Sequence, residues 1–220
     1  MHYTVVVDLE MCNVSKGQRR KYNYRQEIIQ IGATALDENF EVVDGFCCYV
    51  KPQYGDIDEY IKTLTGITRA DVAKASNVET AINSFVNWLP QDVTIVSWSM
   101  NDKTQFVRET EEKRIINEKL NSLMESWVDC QPMFAEKMNN ERQYRLEEAL
   151  IAADIDSQGN AHDGLADAYN TALLYKKMVT EPVFTLNSYY ASAEEDSSDL
   201  LTSNLADLFK GFDFSALAIA

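Results

Sequence analysis

What most constrains the fold of this chain is the placing of its β-branched apolar runs. Residues 3–8 (YTVVVD) read as a buried strand. Residues 27–36 (EIIQIGATAL) and 42–50 (VVDGFCCYV) read as two more, joined by the polar turn Asp37-Glu38-Asn39-Phe40. A second buried run, residues 93–98 (VTIVSW), comes only after several helical stretches, and residues 127–130 give a last short strand. The helical stretches begin with residues 57–64, ended by Gly66, and a second helix opened by Thr68. A third follows the capping box Ser76-Asn77-Val78-Glu79 and is stopped by Pro90. Helices are also expected over residues 102–114, 132–138, 146–153 and 163–178. Strands that come three together and then singly between helices fit an α/β layered domain. Its core is a central five-stranded mixed sheet flanked by helices.

Composition narrows the class further. At 220 residues and 45% apolar, the chain can bury a sizeable core. No apolar run approaches the roughly 18 residues of a membrane span. The N-terminus runs straight into a strand, so no signal peptide is expected. The cysteines Cys12, Cys47, Cys48 and Cys130 form no C-x-x-C pair, and reduced thiols in a cytoplasmic protein are expected. The net charge of −15 argues against a tight, non-specific duplex binder, because backbone phosphates attract cations. Seven of the acids lie from Glu181 onward with a single base, Lys210, and bound metal would offset others.

Three acidic elements stand out. In Asp8-Leu9-Glu10, two acids spaced by two on a strand reach the same side while Leu9 turns into the core. Adjacent carboxylates repel, and a bound cation is the main gain from such a pair. Asp102 follows a buried strand, where a helix cap is the plain alternative. In His162-Asp163-Gly164-Leu165-Ala166-Asp167, the histidine precedes a helix and Asp167 lies within that helix among Leu165, Ala168, Ala172 and Leu173. The other histidine, His2, reads as a frayed end. Two-metal hydrolysis needs several carboxylates from different elements. It also needs a base that titrates near neutrality, and histidine is one. Asp8, Glu10 and Asp102 are each placed at the end of a buried strand, where α/β folds put their sites.

These residues resemble the DEDDh branch of the 3′→5′ exonucleases. The D-x-E motif of that family matches Asp8 and Glu10, its second-motif aspartate matches Asp102, and its H-x₄-D motif matches His162 and Asp167. The order and spacing fit over roughly residues 3–180. Glu27-Ile28-Ile29-Gln30-Ile31-Gly32-Ala33 is similar to the second strand of these enzymes. Leu64-Thr65-Gly66-Ile67-Thr68 is similar to the loop common in the histone-mRNA 3′-end exonuclease and KapD-like group. The resemblance implies a ribonuclease H-like fold and two divalent metal ions, Mg²⁺ or Mn²⁺, on Asp8, Glu10, Asp102 and Asp167. It also implies His162 as general base. The substrate implied is single-stranded nucleic acid with a free 3′ end, RNA slightly favoured over DNA, cleaved to nucleoside 5′-monophosphates. Non-catalytic binding on the same fold, or hydrolysis of very short oligonucleotides, stays open.

The resemblance also suggests substrate contacts at Leu9, Met11, Leu64, Thr65, Gly66 and Ile67, around the last sugar and base. Simple packing is the alternative for all six. Cys12 stands where relatives often carry Thr or Ser, which leaves the local nucleotide contact open. Residues 13–25 form a basic, aromatic segment; Arg19, Arg20 and Lys21 with Lys16, Arg25, Tyr22 and Tyr24 suit a phosphate track with base stacking. A solvated loop is the plain reading. The expected organisation is a catalytic domain over residues 1–182 and an acidic, Ser-rich tail over 183–220. In the tail, Leu205, Leu208, Phe209 and Phe212 could dock on the domain or a protein partner, or stay disordered.

Overall fold

The computed structural model describes residues 1–189. The docking stretch expected at 205–214 lies outside the described residues.

The chain begins with three antiparallel strands: β1 (Tyr3–Val14), β2 (Gln26–Leu36) and β3 (Val42–Tyr49). A two-residue strand, β4 (Gly55–Asp56), pairs with the far end of β1. Then come α1 (Glu59–Thr65), α2 (Arg69–Ala73) and α3 (Val78–Trp88). Strand β5 (Val93–Ser97) leads into α4 (Met100–Lys113) and α5 (Glu118–Glu125). Strand β6 (Val128–Asp129) is followed by α6 (Cys130–Lys137), α7 (Leu146–Ala152) and α8 (Gly164–Thr180). The sheet order is β3-β2-β1-β5-β6, with β1 parallel to β5 and β5 parallel to β6. This is the expected five-stranded mixed sheet, with β4 as a small sixth member. Among the described residues no helix is long and apolar enough to cross a membrane.

Strand β1 is apolar at successive positions because both its faces are covered. Val5, Val7 and Leu9 join the core beneath α3, α4 and α5, with Phe85, Phe106 and Leu120. Val6 points the other way, into a second core with Val96, Phe134, Leu150 and Leu174 beneath α6, α7 and α8. On that second side the strand continues Asp8, Glu10, Cys12. Cys12 is again buried, in a third cluster with Ile29, Ile57, Ile61, Ile67 and Val72 under α1 and α2. The two acids therefore occupy the gap between two apolar patches on one face of the central strand. The register slips by one residue between Glu10 and Met11, and the extra residue on β2 is Ile29, which turns toward Cys12.

Several sequence expectations are corrected here. Strand β1 is twice the expected length, so Asp8 and Glu10 lie within it rather than at its end. They still project past the end of β5, whose pairing with β1 stops at Val6↔Val96. The α3 cap is Asn77, whose side chain accepts from the Thr80 N–H, not Ser76. Helix α5 was not anticipated, although Asn117 caps it and Leu120 and Leu123 give it a buried stripe. His2 is held rather than frayed, with Nδ1 2.7 Å from Asp92 Oδ1. Residues 183–189, assigned above to the tail, pack on the domain: Phe184 lies edge-on against Phe134, and the Asn187 N–H reaches the Ala152 carbonyl at 3.0 Å.

The basic segment is also more ordered than a loop. Residues Gln18–Arg20 form a 3-10 turn, and Tyr22 is fully buried beneath it. Tyr22 stacks on Tyr54 with ring centres 5.3 Å apart and lies over a buried ionic knot. There Lys113 Nζ is 2.6 Å from both Glu27 Oε1 and Glu109 Oε1. Both acids also accept backbone N–H groups: Glu27 from Gln53, Tyr54 and Gly55, and Glu109 from Ile28. Such a fully hydrogen-bonded pair is difficult to break singly, because removing one partner leaves a charge buried alone.

Candidate active site

Three elements, β1, α4 and α8, and the turn leading into α8 meet at the acidic gap. Asp8 and Glu10 come from β1 itself. Asp102 lies in the first turn of α4, and its Oδ1 accepts the Leu9 N–H at 3.1 Å. That bond occupies a strand edge left free where β5 ends. Asp167 comes from the first turn of α8. His162, with φ of 63°, turns the chain into α8, and its N–H donates to Asp167 Oδ2 at 2.8 Å.

The seat of α8 explains how it comes so close. Asp8 faces Gly32 across the β1–β2 ladder. The backbone of Gly164, the first residue of α8, lies against Gly32 where a side-chain carbon would have to be. Two glycines thus let a helix end rest directly on the strand pair. From this seat one ligand atom each of Glu10, His162 and Asp167 lies within 4.8 Å of the others. Asp163 caps α8 through the N–H groups of Leu165 and Ala166 and adds a further charge beside the cluster. The sequence reading had not singled out Asp163 or Asp129; Asp129 caps α6 and acts electrostatically on Asp102. Both look like ordinary helix caps in sequence.

The electrostatics follow from burial and crowding. Glu10 is buried, and desolvation pushes its carboxyl up to about 8, with Asp167, Asp102 and Asp163 adding to the shift. Asp102 is raised by burial to about 7, against the opposing Leu9 N–H. Asp8 keeps some solvent contact but is ringed by protein, and its carboxyl is held well above the usual range by burial and then by Asp102, Asp167 and Glu10. Burial also raises Asp167. All the donors on these four acids are oxygens, which suits hard divalent cations. A cluster whose carboxyls resist ionising together is one that cations would relieve.

A stability trend follows. These carboxyls titrate higher in the folded chain than in the unfolded one, so the folded state holds the extra protons. Their contribution is fully present below an ordinary carboxyl pKa of about 4. It is lost as pH rises through about 7 for Asp102 and about 8 for Glu10. In EDTA the melting temperature should therefore fall between pH 6 and pH 9, and millimolar Mg²⁺ or Mn²⁺ should oppose the fall. A melting temperature that stays level or rises across that range in EDTA would contradict the convergence of these acids.

The anticipated substrate contacts are placed unevenly. Leu9 is buried in the core beneath α3 and α4, and Met11 packs against the same core, so neither side chain opens on the acidic gap. Thr65 and Ile67 are buried, and the Thr65 hydroxyl is occupied by the Ile61 carbonyl and the Ile67 N–H. Leu64 is partly exposed, and Gly66 is exposed in a left-handed turn with φ of 74°. Ile67 shares a cluster with Cys12, two residues beyond Glu10, so this loop borders the gap. Arg19, Arg20 and Lys21 are exposed, but Tyr22 is buried and has no face free for a base. The segment packs near Lys113, eleven residues along α4 from Asp102, or roughly 16 Å at 1.5 Å per residue.

Comparison with known proteins gives a consistent picture. The family model RNase_T, described as an exonuclease, matches residues 5–175. Human ERI1 exoribonuclease 2 is 26% identical over 207 aligned residues, covering 81% of this chain and 28% of that protein. Its Danio rerio counterpart is 27% identical over 203, covering 81% and 35%. The chain thus spans about a third of the length of the curated relatives it matches. Among solved structures, the nuclease domain of 3′hExo, a DEDDh family member bound to rAMP, superposes with a TM-score of 0.71 at 20% identity. That match covers 84% of this chain and 96% of that domain, and at this identity it is a likeness of fold.

Proposed function

The chain belongs to the RNase_T exonuclease family, and from that premise we propose that it removes nucleotides one at a time from the 3′ end of single-stranded nucleic acid, RNA before DNA. The observation that carries this reading is the meeting of Asp8, Glu10, Asp102 and Asp167 with His162 on one face of β1. The names of the relatives, exoribonucleases and a nuclease holding rAMP, favour RNA.

Asp8, Glu10, Asp102 and Asp167 would hold two divalent cations, Mg²⁺ or Mn²⁺. Bound there, the cations would offset the carboxylate charge and polarise the phosphate and the attacking water. His162 is exposed beside Glu10 and Asp167, so a ring nitrogen can take the proton of the attacking water. The water oxygen bonds to phosphorus, and the bond from phosphorus to the 3′ oxygen of the preceding nucleotide breaks. A nucleoside 5′-monophosphate departs, and the shortened strand keeps a 3′ hydroxyl. Leu64 and Gly66, on the loop beside the gap, would meet the terminal base and sugar. Arg19, Arg20 and Lys21, on the segment packed toward the Lys113 end of α4, would neutralise phosphates upstream.

The test is digestion of 5′-labelled single-stranded RNA and DNA of one sequence, with Mg²⁺, with Mn²⁺ and with EDTA. Stepwise shortening from the 3′ end and release of 5′-monophosphates are expected with either metal, faster on RNA, and none in EDTA. Binding of both strands without release under any metal would replace the enzyme by a binding module. Release confined to the shortest oligonucleotides in a length series would redefine the substrate.

A further inference from the structure

Gln30 is buried in the wall of the site, and no step above uses it. It is the cross-strand partner of Glu10 in the β1–β2 ladder, so the two side chains stand on the same face. Its Oε1 accepts the Gly164 N–H at 2.9 Å, and its Nε2 donates to Cys47 Sγ at 3.4 Å. A backbone N–H can only donate, which fixes the oxygen end of the amide toward α8.

Gly164 is the first residue of α8, and the leading N–H groups of a helix have no partner within it. Asp163 takes those of Leu165 and Ala166, at 3.0 and 3.1 Å. The Gly164 N–H goes instead to a side chain of the sheet. Helix α8 is thereby tied to β2 at its first residue, two positions after His162 and three before Asp167. His162 and Asp167 are themselves joined by the bond from the His162 N–H to Asp167 Oδ2 at 2.8 Å, so they move together. Contact with Gly32 limits how near α8 can come to the sheet; the Gln30 bond limits how far it can lift or turn.

We infer that Gln30 is a positioning residue: it sets the seat of α8 on β2, and through Gly164 holds His162 and Asp167 at working distance from Glu10. This rests on the exonuclease reading. Its effect passes through Gly164 to the orientation of His162 and Asp167. Side chains that orient metal-binding groups in this way typically change metal affinity or activity about 10–100-fold when lost.

The test uses the full chain with Gln30→Met, which keeps length but replaces the amide oxygen with a weakly accepting thioether, and Gln30→Glu, which keeps an oxygen acceptor toward Gly164. Three quantities are read: kcat and KM on a labelled single strand, Mn²⁺ affinity by calorimetry without substrate, and melting in EDTA. In Gln30→Met, kcat and Mn²⁺ affinity should each fall about 10–100-fold. KM should stay near wild type and the protein should remain folded at the assay temperature. Gln30→Glu should keep more of kcat than Gln30→Met. Wild-type kcat and Mn²⁺ affinity in Gln30→Met would overturn the inference, as would a loss that follows the folded fraction as temperature changes. Should Gln30→Met not fold, Gln30→Asn decides, being too short to reach Gly164; wild-type kcat and Mn²⁺ affinity in it would also overturn the inference. A wild type that binds Mn²⁺ but releases no nucleotide sinks the exonuclease reading instead, and the calorimetry still judges Gln30.

Discussion

Asp8→Asn is expected to lower kcat about 10³-fold or more, and to melt at a higher temperature than wild type in EDTA at pH 8. The first effect follows from losing a ligand charge at the proposed two-metal site. About 4 kcal/mol of transition-state stabilisation corresponds to that factor. The second follows from what surrounds Asp8: its carboxyl is raised by burial and then by Asp102, Asp167, Glu10 and Asp163. Asparagine keeps the shape and removes one repelling charge. The same variant should gain less than wild type from added Mg²⁺. His162→Ala makes the contrast, because it should lose roughly 10²–10⁴-fold in kcat, as for a positioned general base. It relieves no carboxylate repulsion and should not melt higher. Single-turnover rates and paired melting curves would measure all of this. Retention of about a tenth of wild-type kcat by Asp8→Asn would remove Asp8 from the metal ligands.

Gly32→Ala is expected to be among the most damaging single substitutions outside the acids. A methyl group there would occupy the space of the Gly164 backbone, which cannot yield as a flexible side chain would. Either β2 bends or α8 lifts, and the loss should be about 3 kcal/mol or more, at the upper end for overpacking. For a chain of this size that is a fall in melting temperature of roughly 6–12 °C. Activity should fall further than stability, because lifting α8 carries His162 and Asp167 away from Glu10. Gly17→Ala is the control: nothing lies within 4 Å of the added carbon, and the change should stay within about 0.5 kcal/mol. Equal melting temperatures for the two variants would mean that α8 is not seated on Gly32.

The five residues of the proposed catalytic set could be found in sequence because each combines a chemical type with a fixed spacing next to an apolar run. The runs themselves gave β1, β2 and β5, since burial on both faces leaves an uninterrupted apolar signature, whereas β3 is an exposed edge strand that showed only through its β-branched and aromatic residues after the polar turn. Other parts had no such signature. The true length of β1 was hidden, because its second half alternates acids and a cysteine instead of valines. β4 is only two residues long, Gly55–Asp56, and depends wholly on pairing with Asn13 and Val14. Tyr22 looked like a surface aromatic among Arg19, Arg20 and Lys21. Its burial depends on Glu27, Glu109 and Lys113, which are brought beneath it only by tertiary contact. Gln30 read as one polar letter within a strand, and its partner Gly164 is 134 residues away.

The wedge of α8 against Gly32 also bears on when the centre comes into being during synthesis. Its acids arrive in instalments: residues 8 and 10 first, residue 102 after β5, and residues 162 to 167 last. At roughly 5–20 residues per second, residue 167 leaves the ribosome some 8–30 s after residue 10. Until then the acidic face of β1 has no helix to close it and no histidine beside it. A chain interrupted between β6 and residue 162 would therefore carry the whole sheet with residues 8, 10 and 102, but neither residue 162 nor residue 167.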